Sequence, residues 1–236
     1  MQNKKYAYFV GVVGALAGLL FGIDLGVVAG IQDSLQASWN LSIHQIEFAI
    51  SAILFGAVVG SIISSYLTRV FGRKIILLTS AFIFTVGSII SAISVDYEML
   101  VHTRIFLGLA LGMATFTAPL YLSEISPKEI RGRLIALYQL MITIGIVVAY
   151  ISDLYIMHLQ NNQVVSSAEA WRWMLGVVAF PSAIMFLSIL YLPRSPRWLM
   201  LKGRTEQAKA TLSTLASHND INREFNAISQ NLTQKM

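Results

Sequence analysis

Two ionisable residues stand deep inside long apolar runs, Asp24 and Arg104. A charge at the centre of a membrane helix costs about 2.5–3.5 kcal/mol on insertion scales, so neither is expected to face lipid unpaired. Counted from the ends of their runs at 1.5 Å per residue, Asp24 lies about 10 Å and Arg104 about 8 Å from the same membrane surface. Opposite charges at one depth can pair across a helical bundle. Two uses of such a pair stay open. It is a static tie between helices, or a proton site in which a carboxylate beside a movable cation takes up a proton when the two separate.

The other polar residues carry weaker signals. Gln139 offers donors and an acceptor, suited to a polyhydroxylated ligand or to an interhelical hydrogen bond. Asp153 falls within about 5 Å of the end of its run and is read as interfacial. The four histidines (His44, His102, His158 and His218) lie near run ends or in the tail, without metal-ligand spacing. Asn40-Leu41-Ser42 has the form of a glycosylation sequon, but so does Asn231-Leu232-Thr233 in the tail, and Ser42 reads better as a helix cap. The absence of cysteine excludes disulfides, thiolate metal sites and a cysteine nucleophile. With no Ser/His/Asp set, no paired acid–base carboxylates and no phosphate loop, the chain does not read as an enzyme.

The elements that position these residues follow from composition. Of 236 residues, 56% are hydrophobic and 12% charged, with a mean hydropathy of +0.65. Soluble domains carry about a quarter charged residues, so this is an all-α polytopic membrane protein. The net charge of +5 does not indicate nucleic-acid binding, because its 17 Lys and Arg are spread between apolar runs. A membrane span needs about 20 apolar residues. Six runs qualify, at about 8–31, 46–68, 75–95, 99–122, 133–156 and 171–192. The first follows Lys4 and Lys5 but is too long for a signal peptide.

Lys4, Lys5, Arg69, Arg73, Lys74, Lys128, Arg131 and Arg133 share one set of connections, and the alternate connections hold no Lys or Arg. The positive-inside rule then predicts cytoplasmic termini and a plasma (inner) membrane location. A membrane domain over 1–193 is followed by a polar tail over 194–236, expected to form short helices from Pro196 and over 205–213. In the first span Gly11, Gly14, Gly18, Gly22, Gly26 and Gly30 form a stripe for close helix packing, with Gly56/Gly60 and Gly108/Gly112 repeating it. At about 100° per residue, Asp24 projects away from that stripe, near Phe21 and Val28.

Several stretches resemble the N-terminal half of a sugar porter of the major facilitator superfamily, the group of bacterial proton-coupled sugar symporters and facilitative glucose transporters. They are GLLFGID (Gly18–Asp24), FGRK (Phe71–Lys74), RIFLGLALG (Arg104–Gly112), PLYLSEISPKEIRGRL (Pro119–Leu134), YQLMITIG (Tyr138–Gly145) and PRSPRWLMLKGR (Pro193–Arg204). The resemblance implies a 3+3 inverted-repeat bundle and transport of a monosaccharide with H+, with no cofactor. Asp24 matches the proton-coupling carboxylate and Arg104 its partner. Phe21, Gln139 and Ile146 match positions of the sugar cavity. Arg73, Glu124, Arg131 and Arg197 match a cytoplasmic charge network that latches the two halves.

Three departures bear on this. Arg69 replaces the acidic residue of the loop between spans two and three, Val70 replaces the first basic one, and Arg194 stands where an acidic residue is common. The sign change at Arg69 is expected to remove an attraction at the gate. The family has twelve spans and this chain ends where the seventh would follow, so a second six-span half or a homodimer partner is expected beside sugar and lipid. Alone, the half is expected to leave Asp24, Arg104 and Gln139 on an unsealed face. The competing readings are a proton-independent facilitator, a polyol or organic-acid carrier, and a sugar-binding half that does not transport.

Overall fold

A computed structural model describes residues 2–166, 168–215, 221, 225–226 and 228–230. His218, Arg223, Asn231-Leu232-Thr233 and Lys235, and with them most of the tail beyond 215, lie outside the described residues, as do the side chains of Lys4 and Lys5. The described chain is helical: α1 (Gln2–Trp39), α2 (Ile43–Phe71), α3 (Arg73–Ala92), α4 (Tyr97–Ile125), α5 (Lys128–Asn161), α6 (Ala170–Val177), α7 (Ala179–Leu190), α8 (Pro196–Leu201) and α9 (Thr205–Leu215). Six stretches are long and apolar enough to cross a membrane, the sixth being α6 and α7 together.

Local chemistry sets the ends of these helices. Ser42 caps α2 in a capping box, its hydroxyl accepting from the Gln45 N–H while the Gln45 side chain accepts from the Ser42 N–H. Asp96 caps α4, accepting from the Met99 N–H at 2.7 Å. Gly72 alone joins α2 to α3, at φ 90°, a conformation that a side chain would strain. Ser126 and Pro127 alone join α4 to α5. Connections this short make successive spans antiparallel neighbours.

The helices run past the expected spans at most ends, because the apolar run marks the hydrocarbon-facing part and the hydrogen-bond ladder continues beyond it. The sixth span departs differently, breaking at Val178. Pro181 has no N–H to give the Val177 carbonyl, and its ring crowds that carbonyl, so the ladder opens just upstream.

Two glycine seams organise the bundle. A Cβ on Gly18 would fall against Tyr138 and Ile142, one on Gly22 against the Ile142 backbone and Gly145, and one on Gly26 against Ala149, so the α1 stripe seats α5. Gly56 and Gly60 of α2 meet the backbone of Ile105, Gly108 and Leu109 in α4 in the same way. Exchanging α1 with α4 and α2 with α5 carries one seam onto the other, the relation expected of a 3+3 repeat. One apolar core runs through all of α1 to α7. On the outer surface α2 exposes Phe55, Val58, Ile62 and Tyr66, and α5 exposes Ile151, Leu154 and Tyr155. Such apolar flanks suit lipid rather than water.

The seams make a specific demand on residue size. Gly22→Val drives a side chain into the backbone of α5, which cannot swing aside. It is expected to cost at least about 1–3 kcal/mol and to lower the melting temperature in detergent. Gly132→Ala places its methyl where nothing lies within 4 Å. It is expected to leave the melting temperature unchanged or raise it slightly.

Candidate functional site

The α1 stripe that seats α5 leaves the opposite side of α1 for α4, and there Asp24 meets Arg104. Arg104 Nη1 donates to Asp24 Oδ1 at 2.9 Å, with the side chains 1% and 4% exposed. Leu20 and Ile23 on α1 and Leu100 and Leu107 on α4, within about a turn of the pair in sequence, are buried in the apolar core. The expectation that this half alone leaves the pair on an open face is corrected: α1 and α4 close over it, because Asp24 points into the bundle rather than toward its rim. The bond is single-pronged, and Arg104 Nη2 is buried without a partner among the described residues. Guanidinium stays charged under all ordinary conditions, so only the carboxyl side of this pair can change its charge.

A second buried pair lies at the end of the bundle rich in Lys and Arg. Arg73 Nη2 donates to Glu124 Oε1 at 2.6 Å, with side chains 7% and 3% exposed. Arg73 Nη1 also donates to the Thr68 carbonyl at 3.2 Å. Ser195 Oγ donates to Glu124 Oε2 at 2.6 Å while capping α8 by accepting from the Trp198 N–H. The Trp198 indole donates to the Arg69 carbonyl at 3.1 Å, and its ring lies where a Cβ on Gly72 would sit. The chain after α7 is thereby strapped across the α2–α3 turn.

Of the four residues expected in the charge network, the structure brings together Arg73 and Glu124. Arg131 donates instead to the Ser126 carbonyl at 3.2 Å, and Arg197, half-buried, bonds to neither member of the pair. The Arg69 side chain is exposed, and the Arg194 guanidinium stacks 5.3 Å from the Trp198 ring. Ser195 and Trp198 are the residues that sequence reasoning passed over. A serine directly before a proline at a helix start is an N-cap signal that could have flagged the first.

Phe21 and Ile146 are half-buried, Ile146 against Gly26, whereas Gln139 is exposed on α5. Two cavities of about 570 and 260 Å³ lie elsewhere, between α3 and α6 and between α3 and α4. Among the described residues no group of three His, Asp or Glu is placed to hold a metal. Asp153, near the end of its apolar run, is 4% exposed and packs against Gly30 in the seam between α1 and α5.

Comparison with known proteins places this geometry. The family model described as "Sugar (and other) transporter" matches residues 10–236. The chain belongs to that family. It is 42% identical over 234 residues to the galactose-proton symporter of Escherichia coli K12, covering 99% of this chain and 48% of that protein. It is 40% identical over 224 residues to a D-xylose transporter of Levilactobacillus brevis, covering 94% and 47%.

The fold is that of the major facilitator superfamily. The proton:xylose symporter XylE bound to 6-bromo-6-deoxy-D-glucose superposes with a TM-score of 0.90 at 25% identity, over 98% of this chain and 54% of that one. A partially occluded inward-open form of XylE from E. coli gives 0.89 at 26% identity, over 98% and 60%. The chain thus spans about half the length of the curated relatives it matches. These relatives are transporters, not enzymes.

The strap at the Lys/Arg-rich end yields a ranking. Glu124→Gln leaves Arg73 buried without a counter-charge and is expected to cost about 3–5 kcal/mol. Ser195→Ala removes a cap and a bond to a carboxylate and should cost about 2 kcal/mol. Arg69→Ala, on an exposed side chain, should stay within about 0.5 kcal/mol of the parent. Thermal unfolding in one detergent, monitored by the signal of the buried tryptophans, checks the order.

Proposed function

We propose that this six-span unit is the N-terminal half of a carrier that moves a monosaccharide together with a proton. The observation that carries the reading is the isolated Asp24–Arg104 pair. A cation that cannot discharge is held by one carboxylate, so a proton arriving at Asp24 cancels the attraction and frees Arg104 to move. Names among the relatives support the coupling ion and the sugar class: galactose-proton symporter, and arabinose-proton symporter at 40% identity. Each proton entering supplies about 2.3 kcal/mol per 100 mV, enough for roughly fifty-fold accumulation.

In this reading Phe21, Gln139 and Ile146 contribute to the sugar cavity. The exposed amide of Gln139 awaits hydroxyl groups and the surface of an opposing half. Arg73, Glu124, Arg131 and Arg197 form the cytoplasmic gate. Both termini are cytoplasmic in the plasma (inner) membrane, with 1–193 as the membrane unit and 194–236 as the tail. Transport needs a second six-span unit, from a longer polypeptide, a separate chain or a second copy of this one. The rocking of two halves around a midplane site requires both.

Uptake of labelled galactose, arabinose and xylose into proteoliposomes tests the proposal, using this half joined to a second six-span half. An imposed proton gradient should drive accumulation. Asp24→Asn should abolish accumulation while sparing sugar counterflow. Full proton dependence in Asp24→Asn would reduce the pair to a static tie, and sugar binding without counterflow in the parent would make the protein a sensor.

A further inference from the structure

Asp153 is a third buried carboxyl, set in the α1–α5 seam, and neither the pair at Asp24 nor the pair at Glu124 makes use of it. Both of its oxygens are buried and without a hydrogen-bond partner among the described residues. Its carboxyl occupies the space that a Cβ on Gly30 would take, so the glycine is what lets it fit between α1 and α5. Gly30 is six residues beyond Asp24, about 9 Å along α1 and rotated well around its axis, so the helix itself separates the two carboxyls.

The charged groups on the packed elements are engaged or exposed elsewhere. On α1, Asp33 is exposed, and on α4 Arg104 is bonded to Asp24. On α6, Arg172 donates to the Ala92 carbonyl and stacks 4.4 Å from the Trp171 ring. On α5 itself, His158 is exposed and bonded to Asn162.

A desolvated carboxylate with no donor costs several kcal/mol, and binding a proton removes that cost. A hard metal cation would need about six oxygen ligands, and this site offers the two oxygens of one side chain. The ligand that fits is a proton. We propose that Asp153 is a second proton-binding site, distinct from the Asp24–Arg104 pair, whose access to water is controlled by the α1–α5 seam at Gly30. The proton adds to one carboxylate oxygen and leaves from it to water when the seam parts. This goes beyond the transport reading and stands whether or not the protein carries sugar.

Infrared difference spectroscopy of the chain in lipid bilayers tests it, reading the carbonyl stretch of protonated carboxyls at neutral pH and its shift in D2O. A band lost in Asp153→Asn and kept in Asp24→Asn is the expected result. Gly30→Ala should displace the carboxyl and either abolish that band or speed its exchange. A spectrum unchanged by Asp153→Asn overturns the site, and wild-type exchange in Gly30→Ala overturns the seam as its gate. Where Asp153→Asn does not fold, isotope-labelled aspartate in the Asp24→Asn background decides instead. A protonated aspartate signal supports the site and its absence overturns it.

Discussion

A guanidinium cannot shed its charge, and that constraint at Arg104 shapes the rest of this molecule. Buried at 1% exposure on α4, it requires a carboxylate at its own depth, and α1 supplies one in Asp24. To do so α1 must come close to α4 on one side while α5 closes on the other. The glycine stripe permits the second contact without consuming the face needed for the first. The α2–α4 seam, built from Gly56, Gly60, Gly108 and Gly112, gives α4 equivalent support from behind. The charge pair and the two seams are therefore one design problem, solved by putting small residues on one helix face and the charge on another.

The second pair obeys the same rule by different means. Arg73 and Glu124 lie where the bundle narrows onto single-residue and two-residue turns, and Ser195 completes the shell of the carboxylate. Because Ser195 also caps α8, the polar stretch after α7 is anchored to the same carboxylate that satisfies Arg73. Arg69 meets this strap through its backbone. Its side chain stays exposed while its carbonyl receives the Trp198 indole N–H.

Much of this was legible from residue type and spacing. Intramembrane charges are so costly that Asp24 and Arg104 announce themselves, and glycines at steps of four announce a close helix contact. The cap at Ser42 and the helix start at Pro196 are local chemistry and could be read locally. What escaped was long-range or depended on how far helices continue. Asp153 is close to the end of an apolar run, and its burial comes from a long-range fit against Gly30 of α1. The Ser195–Glu124 contact joins residues 71 apart and has no pattern in the chain. The break at Val178 is written in Pro181, but hydropathy averages over it.

α4 belongs to both charge pairs, with Arg104 toward one end and Glu124 toward the other, about 30 Å apart along its axis. At such a separation the direct Coulomb interaction between the pairs is weak beside each pair's own, so any coupling runs through the helix as a body. Pro119 lies between them and leaves the Thr115 carbonyl without its helical donor. A helix pinned at two charged ends and softened between them by a proline can bend without breaking either pair. Loss of the charge at Asp24 would release one end while the other stays fixed by Glu124. The geometry makes α4 a helix tied to Arg73 toward one end and to Asp24 toward the other, with its one weakened turn between them.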